Sequence, residues 1–171
     1  EALDAGSLRA AEHRRLNRLV AISSALFGLV RPHDLIPAYR LSGDTSLPAL
    51  GTMSAVWRYQ VSAQLVEQQG VLLDLRSASY VALGPIPPGI ASRSLVGRVL
   101  HEHAGKRSIV SHHNKATKGR IVRSLVQANA KPTTVADLIE VLEALGYQAE
   151  LQPPKRPGTP AIVDIIVREV C

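Results

Sequence analysis

Between Gly70 and Arg76 the chain reads Val71-Leu72-Leu73-Asp74-Leu75, four apolar residues interrupted by a single aspartate. A strand that is apolar at successive positions needs cover on both faces, so the fold must be layered, with helices laid on a sheet. Read this way, residues 71–75 form a buried central strand. It delivers Asp74, Arg76, Ser77, Ser79 and Tyr80 at its carboxyl end, the edge where layered α/β proteins bind ligands.

The rest of the chain alternates between helical and extended patterns. Residues 7–20 read as a helix capped by Ser7, with Arg14, Arg15 and Arg18 on a solvated side. The apolar run 20–30 is a strand or a short buried segment, ended by Arg31-Pro32. Two prolines hold 31–41 extended or turned. Thr52 caps a helix over 53–69, with Trp57 as a packing residue and Gly70 as the stop. Residues 94–102 read as a strand, Ala104-Gly105-Lys106 as a hairpin turn, and 107–112 as the partner strand. Thr117 then starts a helix to Asn129 with Ile121, Val122, Leu125 and Val126 inward. Thr133-Thr134 cap another over 135–145, which Gly146 ends. Strands over 147–151 and 161–170 complete the chain. The expectation is one α+β domain over 1–171, with about four helices and a mixed, largely antiparallel sheet.

Charge narrows the function. Lys and Arg number 20 against 14 Asp and Glu, a net charge of +6, which favours anionic partners. The densest segment is Ser111-His112-His113-Asn114-Lys115-Ala116-Thr117-Lys118-Gly119-Arg120-Ile121-Val122-Arg123. It is expected at a strand-to-helix junction, where unpaired N–H groups and four cations attract anions; the plainer reading is a solvated basic loop. A second polar set, Arg31, Asp34, Tyr39 and Arg40, lies in the proline-bound loop. It holds a ligand through guanidinium forks, or Asp34 simply pairs with an arginine and ties the loop.

Other chemistries find little support. Cys171 is the only cysteine, so no disulfide forms within the chain, which fits a reducing compartment. The longest apolar stretch, residues 19–30, is too short to span a bilayer. No phosphate-binding glycine loop, catalytic triad order or RNA-binding signature is visible. His101, His103, His112 and His113 lack the spacing of familiar metal sites, so neither a metal nor a cofactor is expected. The chain begins at Glu1 and is expected to be part of a longer protein.

Three blocks, residues 26–41, 74–80 and 111–120, resemble the YaaA family of peroxide-stress-response proteins in sequence, order and spacing. The resemblance runs from about Leu3 onward. It implies that an amino-terminal segment with a Pro-Ser-Glu-Gly-Lys motif is missing here, that this chain is the carboxyl-terminal two-thirds of a family member, and that the missing segment completes the fold. Asp74, Arg76 and Ser79 depart from the family's usual Asn, small residue and Glu, and His113 replaces an aromatic. The family implies a cytoplasmic protein that limits oxidative damage to DNA, is associated with lowered free iron, and binds double-stranded DNA in a positively charged cleft.

Composition and resemblance together point to Arg31, Arg40, Arg76, Ser77, Lys115, Lys118 and Arg120 as the anion-binding set. The favoured expectation is a DNA-binding module without catalysis. The alternative is an enzyme acting on a phosphate-bearing or nucleoside-like small molecule in the same cleft, with Asp34, Tyr39 and Tyr80 as catalytic candidates. Iron binding through the histidines is a weaker third.

Overall fold

The computed structural model describes residues 2–103, 106–109 and 111–168, without the side chains of 111–113. Its centre is a five-stranded mixed sheet. β6 (Ser94–His103) is the long strand, and β9 (Ala161–Val167) runs parallel to it from Leu95↔Ala161 to His101↔Val167. β8 (Gln148–Gln152) pairs antiparallel with the far side of β9.

The other side of β6 is shared. β5 (Leu72–Asp74) runs parallel to residues 94–96, and β7 (Lys106–Ser108) runs antiparallel to 101–103. Between them, residues 97–100 have neither neighbour, so the sheet is split along this side.

Two short hairpins, β1–β2 (Ile22–Ser24, Gly28–Val30) and β3–β4 (Ser46–Leu47, Gly51–Thr52), stand apart from the sheet. Among the described residues four strand pairings are antiparallel and two parallel, in keeping with the α+β mixed architecture.

The helices are α1 (Ala10–Leu19), α2 (Met53–Glu67), the one-turn α3 (Ala78–Val81), α4 (Ser111–Ala128) and α5 (Val135–Ala144). α4 and α5 cover one face of the sheet. Ile121, Leu138 and Leu142 pack there against Leu95, Val99, Val163 and Ile165, all buried. α1 closes over α4 through Leu8, Leu16 and Val126. Each such side chain contributes about 1.5–3 kcal/mol when taken from water.

Caps explain several boundaries. Thr52 Oγ1 accepts from Ala55 N–H, and Thr134 with Asp137 makes a reciprocal capping box on α5. Gly70 (φ 74°) and Gly146 (φ 86°) adopt the left-handed backbone just beyond α2 and α5.

Four expectations need correction. α1 is capped at Arg9, where the Glu12 carboxylate accepts Arg9 N–H; Ser7 instead lies in a preceding 3₁₀ turn. β5 lies on the side of the sheet and not at its centre, because an apolar run reports covered faces and says nothing of covered edges. The strand expected over 107–112 is only Lys106–Ser108, and α4 already begins at Ser111. Thr117 is therefore not a helix start but a mid-helix residue with 2% exposure, facing the sheet. The hairpin turn at Ala104-Gly105 and the end of the last strand beyond Arg168 lie outside the described residues. Among those residues no helix is long and apolar enough to cross a membrane.

Candidate functional site

The site sits where the sheet splits. After Asp74 the chain leaves β5, so the Leu75 carbonyl has no ladder partner. Lys118 supplies one: its Nζ donates to Leu75 O at 2.7 Å from the middle of α4. Leu75 also folds over Gly97, where an added Cβ would meet Leu75 Cδ2 at 2.5 Å. Helical spacing puts Asn114, Thr117, Lys118 and Ile121 on the sheet-facing side of α4. His101 Nε2 and Asn114 Oδ1 meet there at 3.2 Å.

Burial disfavours the Lys118 ammonium and lowers its pKa, while the nearby Asp74 carboxylate pulls the other way. Asp74 is buried and held by Arg76. The guanidinium grips both carboxylate oxygens, Nε to Oδ1 at 2.9 Å and Nη2 to Oδ2 at 2.7 Å. Arg76 also donates to Gly84 O at 2.9 Å and Tyr80 O at 3.4 Å. Its side chain is only 12% exposed. These bonds tie the β5 exit, α3 and the chain at Gly84 into one knot. The loop at Gly43 closes against it: a Cβ there would sit 3.3 Å from Ser79 O and 3.6 Å from the Tyr80 ring.

The four cations of the basic segment have different surroundings. Lys118 points inward. Arg123 clamps the amino-terminal residues to α4, donating to Leu3 O, Asp4 O and Ser7 Oγ. Lys115 and Arg120 are exposed, and among the described residues Arg120 donates a 3.3 Å bond to Thr117 Oγ1. Ser77 is exposed and lies 3.3 Å from Ser79 through its hydroxyl.

The proline-bound loop forms a second group. Arg31 donates to Val20 O at 3.2 Å, Arg18 O at 3.4 Å and Gln68 Oε1 at 2.9 Å. It thereby fastens the loop to α1 and α2. Asp34 Oδ2 accepts the Arg31 backbone N–H at 2.7 Å, so this carboxylate does tie the loop, through the main chain and not a guanidinium. Tyr39 bonds Ser24 at 2.6 Å and stacks edge-on with Phe27, centroids 5.7 Å apart. Arg40 is exposed.

Among the described residues no hydrogen bond or ion pair joins this group to the Asp74–Arg76–Lys118 knot. What connects them is chain: Arg40 is three residues from Gly43, a span of at most about 11 Å. The catalytic candidates are thus divided, with Asp34 and Tyr39 in the loop group and Tyr80 in the knot.

Two features escaped the sequence reading. Asp74 and Arg76 pair with each other, a relation their i, i+2 spacing permits once the strand ends between them. Arg14, Arg15, Arg18 and Lys131 line an open groove of about 530 Å³ at the other end of α4. The one-turn spacing of Arg14 and Arg15 to Arg18 on α1 was the available signal, and Lys131 carried none. Among the described residues no group of three or more His, Cys, Asp or Glu converges as a metal site, and the His112 and His113 side chains lie outside them.

Comparison with known proteins agrees with the resemblance. A UPF0246 protein of Streptomyces coelicolor is 45% identical over 99% of this chain and 65% of its own length. A UPF0246 protein of Corynebacterium glutamicum strain R is 38% identical over 90% of the chain and 61% of its length. One from Ruegeria is 31% identical over 82% of the chain and 58% of its length. This chain therefore spans about three-fifths of the relatives it matches. The family model described as peroxide stress protein YaaA matches residues 1–152, and the chain belongs to that family.

Proposed function

We propose that the chain serves the peroxide stress response by binding double-stranded DNA across the split side of the sheet. Exposed Arg40, Lys115 and Arg120 would contact phosphates, and Ser77 would add a hydroxyl. Lys118, Arg76 and Arg31 would act behind them, holding the loops and adding positive field. The observation that carries this reading is that Lys115 and Arg120 are both exposed on α4 and that, among the described residues, no carboxylate is paired to either. Such a surface attracts a polyanion and selects weakly among sequences. The association with lowered iron follows from the family resemblance and would act upstream of the same task. Cytoplasmic placement and completion of the fold by a further amino-terminal segment belong to the same proposal.

The test is fluorescence anisotropy of a labelled short duplex with the Lys115→Ala/Arg120→Ala variant beside wild type. A several-fold weaker affinity in the variant supports the reading. Equal affinity sinks it for this surface.

One observation favours a second reading. A half-buried lysine with a lowered pKa beside a buried carboxylate is the kind of group that serves catalysis. Here Lys118 would be the acid or base for a phosphate-bearing or nucleoside-like substrate, with Tyr80, whose carbonyl accepts from Arg76, as a further candidate. Thermal-shift screening of phosphorylated nucleosides separates the two: stabilisation lost in Lys118→Met but kept in Lys115→Ala/Arg120→Ala favours the enzyme.

A further inference from the structure

The groove between α1 and the end of α4 is lined by Ala11, Arg14, Arg15, Arg18, Asn129 and Lys131. Among the described residues its lining has four cations, no carboxylate and no aromatic ring. It is separate from the site above, since Lys118 and the last turn of α4 stand roughly 15 Å apart along the helix axis.

Local structure explains how it forms. Asn129 adopts a left-handed φ of 53°, ends α4 and turns the chain so that Lys131 faces α1. Arg15 donates to Val126 O and Gln127 O, satisfying carbonyls left open at the helix end. It also offsets the negative end of the α4 dipole, which would otherwise repel an anion.

The remaining cations are less easily explained by folding. Arg14, Arg18 and Lys131 are exposed, and among the described residues none forms an ion pair. Glu12, the nearby acid on α1, is buried and already bound to Arg9 at 2.6 Å. Arg14 with Arg18 and Arg15 with Arg18 are like-charged neighbours at i, i+4 and i, i+3, which weakens a helix. The lining offers no aromatic ring on which a base could stack, and its four cations suit a multiply charged oxyanion.

We propose that this groove is a second anion site, one that takes phosphate groups, either from a nucleic-acid backbone or from a free polyphosphate. Arg14, Arg18 and Lys131 bind the anion, Asn129 adds an amide, and Arg15 holds the groove open. The inference stands independently of the duplex-binding reading.

Isothermal titration with inorganic tripolyphosphate tests it, comparing wild type, Arg14→Ala/Arg18→Ala/Lys131→Ala and Lys115→Ala/Arg120→Ala. Arg15 is left intact to preserve the α4 end, and circular dichroism checks the fold of each variant. Saturable binding to wild type, weakened at least tenfold in the triple variant and unchanged in the double one, supports the site. Competition by a short duplex then assigns the source: displacement indicates nucleic-acid backbone, and its failure indicates free polyphosphate. No saturable binding to wild type overturns the proposal, as does unchanged affinity in the triple variant, or an equal loss in the double variant.

Discussion

Asp74 and Arg76 sit two residues apart, both largely buried, and each supplies the other's charge. Removing one partner leaves an uncompensated buried ion, so Asp74→Ala should lower stability by about 3–5 kcal/mol in urea unfolding. A loss under about 1 kcal/mol would mean that water reaches Arg76 freely. Lys118 makes a different prediction. Its folded pKa is depressed, and the ordinary lysine value is about 10.4. Below the folded pKa both states carry the proton, and the burial penalty is constant. Between that pKa and about 10.4 the unfolded chain holds more protons, so stability rises with pH through this window. Lys118→Met should remove that rise, which alkaline denaturation curves of the two proteins would show. Asp137 runs the other way. Hydrogen bonds from Thr134 and Thr133 hold its carboxyl far below the usual range. Its contribution is therefore present above the unfolded value of about 4 and fades as pH falls below it. Asp137→Asn should be less acid-sensitive than wild type through that range.

At the scale of elements, the β1–β2 hairpin is locked to α2 by one close approach. Gly28 has φ 74°, and a Cβ there would lie 2.9 Å from the Trp57 ring, whose Nε1 donates to Ala25 O at 2.8 Å. Gly28→Ala combines left-handed strain with overpacking and should cost about 2–4 kcal/mol, with a shift in Trp57 fluorescence. Trp57 as a packing residue, the Thr52 and Thr134 caps and the inward face at Ile121 and Val126 were legible in the sequence. The two caps rest on contacts within a turn of chain, and the other positions on the general rule that large apolar side chains pack inward whatever partner they find. The start of α4 was not, because Ser111-His112-His113-Asn114 has weak helix propensity and follows a β-like run. Its placement depends on α4 docking onto β6, a tertiary contact that helix propensity does not record. The side position of β5 was illegible for a related reason: hydrophobicity records burial of faces, whereas strand order depends on partners. Arg31 and Arg76 were legible as important cations, but not as the knots of two loops, since nothing in the sequence names the carbonyls they bind.

For the whole molecule, a net charge of +6 is less informative than its placement. Some cations are spent inside the fold, as with Arg76, Arg123 and Arg98, which pairs with Asp164 across β6 and β9 at 2.6 Å. Others stand on two patches served by the same long helix, one at the split sheet and one at the α1 groove. Duplex binding at the split sheet is the central claim, and salt dependence probes it most directly. The slope of log K against log salt should be measured for duplex binding by wild type and by Lys115→Ala/Arg120→Ala. Each phosphate contact contributes about 0.9 to that slope, so losing two should make it shallower by nearly 2 while weakening affinity. An unchanged slope, or wild-type binding indifferent to salt, would contradict a phosphate track on α4.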